Sequence, residues 1–374
     1  MNLAARPWIV AVILGLLALS PAHAGMTPEE VKTFEGHKAQ AEKGDPVAQF
    51  NLGYCYRTGS GVTKDQVQAV SWYRKAAEQG IARAQFNLGN SYINGEGVEK
   101  DQVQAVSWYR KAAEQGFAYA QYNLGRCYAY GIGVAKDQVQ AAAWFRKAAE
   151  QGDAKAQYNL GVRYEDGEGL EKDQLQAVTW YRKAAEQGHA EAQYNLGWCY
   201  FAGRGVPKDD ALAVSWYRMA ADLGYAEAQT SLGYSYFSGR GVAKDQVQAV
   251  SWYRKAAEQG HAEAQYNMGN RYFRGEGVPK DPAQAASWWR KAAEQGHEEA
   301  QINMGLCYAT GSGVAQDEIE AYAYWSLGTV EFARKKIADF EKQMTAERIA
   351  TGKKRSKELQ NEIDAKIAAK AAGK

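Results

Sequence analysis

The residues able to do chemistry are few and regularly spaced. Beyond residue 25 the histidines are His37, His189, His261 and His297, and the cysteines are Cys55, Cys127, Cys199 and Cys307. A zinc centre needs several such ligands within about 2 Å of one ion. Nucleophilic catalysis needs a thiol or hydroxyl beside an orienting base. Successive cysteines lie 72, 72 and 108 residues apart, and the last three histidines 72 and 36 apart. These separations are multiples of 36, so each set marks equivalent places in a repeating unit and not one converging site. No HExxH, GxSxG, Walker-type loop or CxxC occurs. Lys-Asp pairs such as Lys64-Asp65 recur seven times, the signature of a repeated helix cap. The expectation is a chain with no catalytic residue, no metal site and no cofactor.

The elements that position these residues repeat from Asp45 with no insertion or deletion: 45–80, 81–116, 117–152, 153–188, 189–224, 225–260, 261–296 and 297–332. Positions within a repeat are numbered here as slots 1–36. Slots 1–14 predict a first helix, A, and slots 15–20 a glycine-rich turn. A second helix, B, starts at an Asp N-cap in slot 21, with Gln in slot 24 completing a capping box, as in Asp65 and Gln68. Ala69, Trp72, Tyr73, Ala76 and Ala77 form an amphipathic i, i+3, i+4, i+7, i+8 stripe. Gly80 and its counterparts end helix B as C′ residues. Glycine totals 38, and most of it is this punctuation. The mid-helix glycine of slot 9 costs about 0.5–1 kcal/mol relative to alanine, so a neighbouring helix backbone is expected to pass close by. Stacked repeats can bury what one alone cannot. The fold class is therefore an all-α solenoid of eight helix-turn-helix repeats with terminal capping helices.

Residues 1–24 read as a secretory signal peptide: Arg6, an apolar run from about Trp8 to Leu19, and the Ala22-His23-Ala24 cleavage site. Export to a periplasm or the medium is expected, with no membrane span after cleavage. Residues 25–44 form an N-terminal capping helix, with Thr27, Pro28 and Glu30 as its start signals. Residues 333–374 form a C-terminal capping helix and a basic helical tail. Residues 331–374 hold 12 basic and 7 acidic side chains, and this tail is expected to be solvated. The whole chain balances 45 basic against 43 acidic residues, which gives no electrostatic reason for nucleic-acid binding.

The L-G-x-x-Y of helix A and A-x-x-W-Y-x-x-A-A of helix B resemble tetratricopeptide repeats. The 36-residue period, the A-x-A-Q-x-x-L-G opening and the G-x-G-V turn resemble the Sel-one-like variant. The resemblance implies a right-handed superhelix whose concave surface, lined by helix A, binds a protein or peptide. It also implies an alternative, β-lactam binding or weak hydrolysis, as in some exported relatives; a third reading is a periplasmic envelope scaffold that touches peptidoglycan. Exported relatives of the cysteine-rich type join the two helices of a repeat by disulfides. Here all four cysteines sit in slot 11 of different repeats, two or more repeats apart, so no intramolecular disulfide is expected. A monomer is expected.

Comparing repeats separates framework from variable surface. On helix A, slots 5, 8, 9 and 12 barely change, whereas slots 3, 10, 13 and 14 vary on the opposite face. That face supplies the candidate ligand-binding residues: Tyr54, Arg57, Asn90, Arg126, Tyr130, Trp198, Phe201, Tyr234, Phe237, Asn270, Phe273 and Arg274. Its aromatic cluster in repeats 5–7 is either an exposed binding surface or packing against the adjacent turn. The near-constant Asn of slot 7 borders it and fits either a ligand contact or a bond between repeats.

Overall fold

A computed structural model describes residues 26–328 and 331–372. The expected leader, 1–24, lies outside the described residues. Helix α1 is Pro28–Glu42. The A helices are α2 (Pro46–Thr58), α4 (Ala82–Asn94), α6 (Ala118–Tyr130), α8 (Ala154–Asp166), α10 (Ala190–Ala202), α12 (Ala226–Ser238), α14 (Ala262–Arg274) and α16 (Glu298–Thr310). The B helices are α3 (Gln66–Glu78), α5 (Gln102–Glu114), α7 (Gln138–Glu150), α9 (Gln174–Glu186), α11 (Asp210–Asp222), α13 (Gln246–Glu258), α15 (Pro282–Ala293) and α17 (Glu318–Leu327). Helices α18 (Glu331–Glu341) and α19 (Ala346–Ala372) follow. Among the described residues there is no strand. The chain forms two compact units, one through Asp153 and one from Ala154. In each, every B helix packs on the A helix of its own repeat and, within the unit, on the next A helix.

Local chemistry explains the helix ends. Thr27 and Glu30 make a reciprocal capping box at α1. Each B helix instead uses half a box. Asp65 Oδ1 accepts from the Gln68 N–H, but the Asp65 N–H donates to the Tyr56 carbonyl of helix A. The expected return bond from glutamine is therefore replaced by a backbone bond that ties the two helices of the repeat. His189, His261 and His297 cap A helices, their Nδ1 atoms accepting from the N–H groups of Ala192, Ala264 and Ala300.

Two glycines are required by contact as well as conformation. In slot 9 the neighbour is a ring and not, as expected, chiefly a backbone. A Cβ on Gly53 would lie 2.8 Å from the Tyr73 ring and 3.1 Å from the Ala69 carbonyl. The slot-29 aromatic of helix B thus lies flat on helix A where side chains are missing. In slot 17 a positive φ coincides with contact between repeats. A Cβ on Gly97 would overlap the Gln66 carbonyl, at the start of the preceding B helix, and Gly241 stands in the same relation to Asp210.

Polar ties span the same junctions. Arg74 Nη2 donates to the Tyr92 hydroxyl of the next repeat at 2.8 Å, and Arg110, Arg182, Arg218, Arg254 and Arg290 make the equivalent bond to the repeat that follows each. The buried slot-5 glutamine is a relay. Gln85 Nε2 donates to the Ala77 carbonyl of the preceding repeat, while its Oε1 accepts from Gln115 of its own repeat. Buried amides need such partners, since leaving one unmade costs about 1–3 kcal/mol.

The basic tail is not simply solvated. Leu359 and Ile363 of α19 are buried in the core of repeats 7 and 8 with Ala292, Met304 and Tyr324. Arg355 Nε reaches Glu320 at 2.6 Å, and Lys366 pairs with Glu294 at 2.7 Å. Lys370 donates to Gln295 Oε1. Part of the tail's positive charge is thus met by carboxylates of repeats 7 and 8, and its apolar stripe covers the last repeats.

Candidate functional site

The variable face of the A helices is built from slots 10, 13 and 14. In the unit through Asp153 it carries Tyr54, Arg57, Asn90, Arg126 and Tyr130. Arg57 lies over the Tyr54 ring, 5.1 Å from its centroid. Asn90 accepts a 2.7 Å bond from the Tyr109 hydroxyl, so its carboxamide is half-buried and engaged in the fold. Arg126 and Tyr130 are exposed.

In the unit from Ala154 the aromatic cluster divides in two. Trp198, Tyr234 and Phe273 are 38%, 45% and 41% exposed. Phe201 and Phe237 are half-buried and covered by cations of the next repeat: Arg240 lies 4.0 Å from the Phe201 centroid and Arg271 3.7 Å from that of Phe237. Packing therefore accounts for two of the five rings, and three remain open. Trp198 stacks on Phe201 at 5.5 Å.

A cleft of about 360 Å³ opens between α14 and α16. Asn270, Phe273 and Arg274 line it with Trp289, Asn303, Leu306 and Cys307. Phe273 packs on Trp289 with ring centroids 5.4 Å apart, giving the cleft an aromatic wall. The side-chain amides of Asn270 and Asn303 make no hydrogen bond among the described residues. In repeats 2, 3 and 5 the slot-7 asparagine faces the preceding repeat's slot-29 tyrosine, as Asn123 faces Tyr109 and Asn195 faces Tyr181, whereas Asn159 and Asn267 donate to carbonyls of their own helices. In repeat 8 the exchange of that tyrosine for Trp289 coincides with an unengaged Asn303 carboxamide.

Comparison of repeats did not single out the ion pairs under this face. Arg163 and Arg271 occupy slot 11, where other repeats place Cys or Ser, and both are buried. Each meets a slot-16 carboxylate: Arg163 pairs with Glu168, and Arg271 lies 2.8 Å from Glu276. The signal was present in the sequence, because the two arginines of slot 11 both occur with Glu in slot 16.

Burial shifts several titratable groups of the framework. Burial holds the Tyr217 and Tyr253 hydroxyls well above the ordinary tyrosine range. It pushes the Cys127 and Cys307 thiols up to about 11 and Cys199 to about 12. It lowers His261, whose Nδ1 lies 3.0 Å from the Thr230 hydroxyl. All four thiols are buried and free. At pH 8 a thiol reagent is expected to modify the native chain at least about a hundredfold more slowly than the unfolded chain, because thiolate is the reactive form. Equal rates would show that the thiols face solvent. Among the described residues no group of three or more His, Cys, Asp or Glu could hold a metal, and no helix is long and apolar enough to cross a membrane.

Sel1 repeats match residues 46–81, 82–117, 118–153, 154–189, 190–225, 226–261, 262–297 and 298–328. Among solved structures, the chain resembles c5321, a protective antigen of uropathogenic Escherichia coli strains with an SLR fold. The two share 32% identity over 91% of this chain and 97% of that one, with a TM-score of 0.57. A Sel1 repeat protein from Oxalobacter formigenes is 33% identical over 82% of this chain and 90% of its own, with a TM-score of 0.65. The comparison with curated proteins gave no match. Sel1 repeat proteins are generally protein–protein interaction scaffolds. With eight matched repeats over most of its length, the chain belongs to the Sel1 repeat family.

Proposed function

We propose that the protein is an exported scaffold that takes a peptide or protein segment on the helix-A face of repeats 5–8 and performs no chemistry of its own. The observation that carries this reading is the set of open rings, Trp198, Tyr234 and Phe273, on the A helices of three consecutive repeats. Exposed aromatics set in a rigid framework are the anchors that dominate interface energetics. The cleft beside Phe273 adds two unengaged carboxamides and Arg274, groups suited to an extended backbone and a carboxylate. The cleaved leader expected from residues 1–24 supports export.

The test is crosslinking in the native cell followed by recovery with the wild type and with Trp198→Ala/Tyr234→Ala/Phe273→Ala. Tyr234→Ala should move stability by no more than about 0.5 kcal/mol, and Trp198→Ala and Phe273→Ala each lose a ring pair worth about 0.5–1.5 kcal/mol, so the variant stays folded. Recovery of a specific partner should fall at least about tenfold in the triple variant, since anchor rings each contribute on the order of 1–2 kcal/mol. Equal recovery of every partner would remove this face from consideration.

A further inference from the structure

Repeat 5 departs from the others on its second helix. In repeats 1–4, 6 and 7, slots 24, 28, 31 and 35 read Gln, Trp, Lys, Gln, as in Gln176, Trp180, Lys183 and Gln187. In repeat 5 they read Leu212, Trp216, Met219 and Leu223. The spacing i, i+4, i+7, i+11 puts all four on one stripe of α11, about 16 Å long at 1.5 Å per residue. Leu212, Met219 and Leu223 are 43%, 49% and 59% exposed.

The exchanges give up bonds that other repeats keep. Lys183 and Lys255 sit over Trp180 and Trp252, about 4 Å from the ring centroids. Met219 leaves Trp216 without that cation. Leu223 cannot donate to the slot-5 glutamine, and the buried Gln193 Oε1 is left without a hydrogen-bond partner. A buried acceptor is unsatisfied so that a surface position can be apolar. That is the opposite of what folding alone would favour.

Two observations choose the occupant. The stripe presents only a few side chains, whereas a stable dimer needs about 800 Å² from each partner. A single helix of about three turns needs no more than the stripe offers. The charge beside it is also one-signed: the equivalents of Met219 on either side are Lys183 and Lys255, both exposed. The carboxylates Glu186, Asp222 and Glu258, in slot 34, lie about a quarter-turn away around their helices. A second copy would bring lysines against lysines.

We infer that α11 is a second docking surface, distinct from the helix-A face. Its partner is a short amphipathic helix whose apolar stripe is flanked by acidic residues. This does not depend on the helix-A reading, since the two faces use different helices.

The test uses two labelled synthetic helical peptides with the same leucine stripe, one flanked by glutamates and one by lysines. Binding to the full chain and to Leu212→Gln/Met219→Lys/Leu223→Gln is read by fluorescence anisotropy. That variant restores the residues of repeats 4 and 6. It should melt no lower than the wild type, because the Leu223→Gln exchange supplies the partner that Gln193 lacks. The glutamate peptide should bind the wild type at least tenfold more tightly than the variant, and tenfold more tightly than the lysine peptide does. Added salt should weaken it. Equal affinity for both proteins, or indifference to the flanking charge, overturns the inference. Sedimentation showing a wild-type dimer that the variant loses overturns it in favour of self-association.

Discussion

Gly241→Ala should cost the fold about 4 kcal/mol or more, and Gly224→Ala only about 1–2 kcal/mol. Both glycines have positive φ, 70° and 90°, so both substitutions pay the left-handed penalty of an L-residue. They differ in what the new methyl meets. Around Gly224 nothing lies within 4 Å. At Gly241 the methyl would overlap the Asp210 carbonyl and approach the Ala211 nitrogen to 3.0 Å. That neighbour is backbone of the preceding repeat, which cannot rotate away, so the junction itself must open. Urea unfolding followed by circular dichroism reads the difference. Equal losses at the two sites would show that the turn, not the junction, is what glycine serves.

Glu276→Ala should cost about 3–5 kcal/mol, because it strands a buried guanidinium. Arg271 is held 2.8 Å from that carboxylate and against the Phe237 ring. Burial already lowers its pKa, with Glu276 opposing the shift. Arg271→Cys adopts the residue that four other repeats use in slot 11. In the Arg271→Cys/Glu276→Ala double variant most of the loss should be recovered, since no charge then remains buried and unpaired. A double variant as unstable as Glu276→Ala alone would mean that the ring contact and packing of Arg271, and not its pairing, hold the site.

Much of the fold was legible because its signals are local. Asp N-caps, C′ glycines, the Thr27–Glu30 box and the alanine stripe each act within a few residues of themselves, and repetition averaged away their noise. What stayed hidden depends on segments brought together by folding. Nothing near Gly53 in sequence says that a tyrosine ring twenty residues on will lie against it. The docking of α19 depends on Glu294 and Gln295, more than seventy residues before their lysine partners. Comparison of helix A across repeats found the open rings Trp198, Tyr234 and Phe273, but it also selected Phe201 and Phe237. Variation alone cannot distinguish a ring that faces solvent from one that a neighbour's arginine covers. The α11 stripe was visible in the letters of repeat 5. Its meaning needed the unpartnered Gln193 oxygen, which shows what the exchange gives up.

The junction bonds also bear on how such a chain can change in length. The slot-17 glycine and the Arg–Tyr bond are drawn from the same slots at each junction described within a unit, the glutamine relay wherever slot 35 is Gln, and residues 64–80, 100–116 and 244–260 are identical in sequence. Excision or duplication of one 36-residue register inside such a stretch recreates a junction of the kind already present. With energies carried by nearest neighbours, copy number becomes a heritable variable that selection can adjust without redesigning an interface. The parts that would not survive arbitrary shuffling are those that differ: the buried arginine pairs, the stripe of α11 and the end sealed by α19.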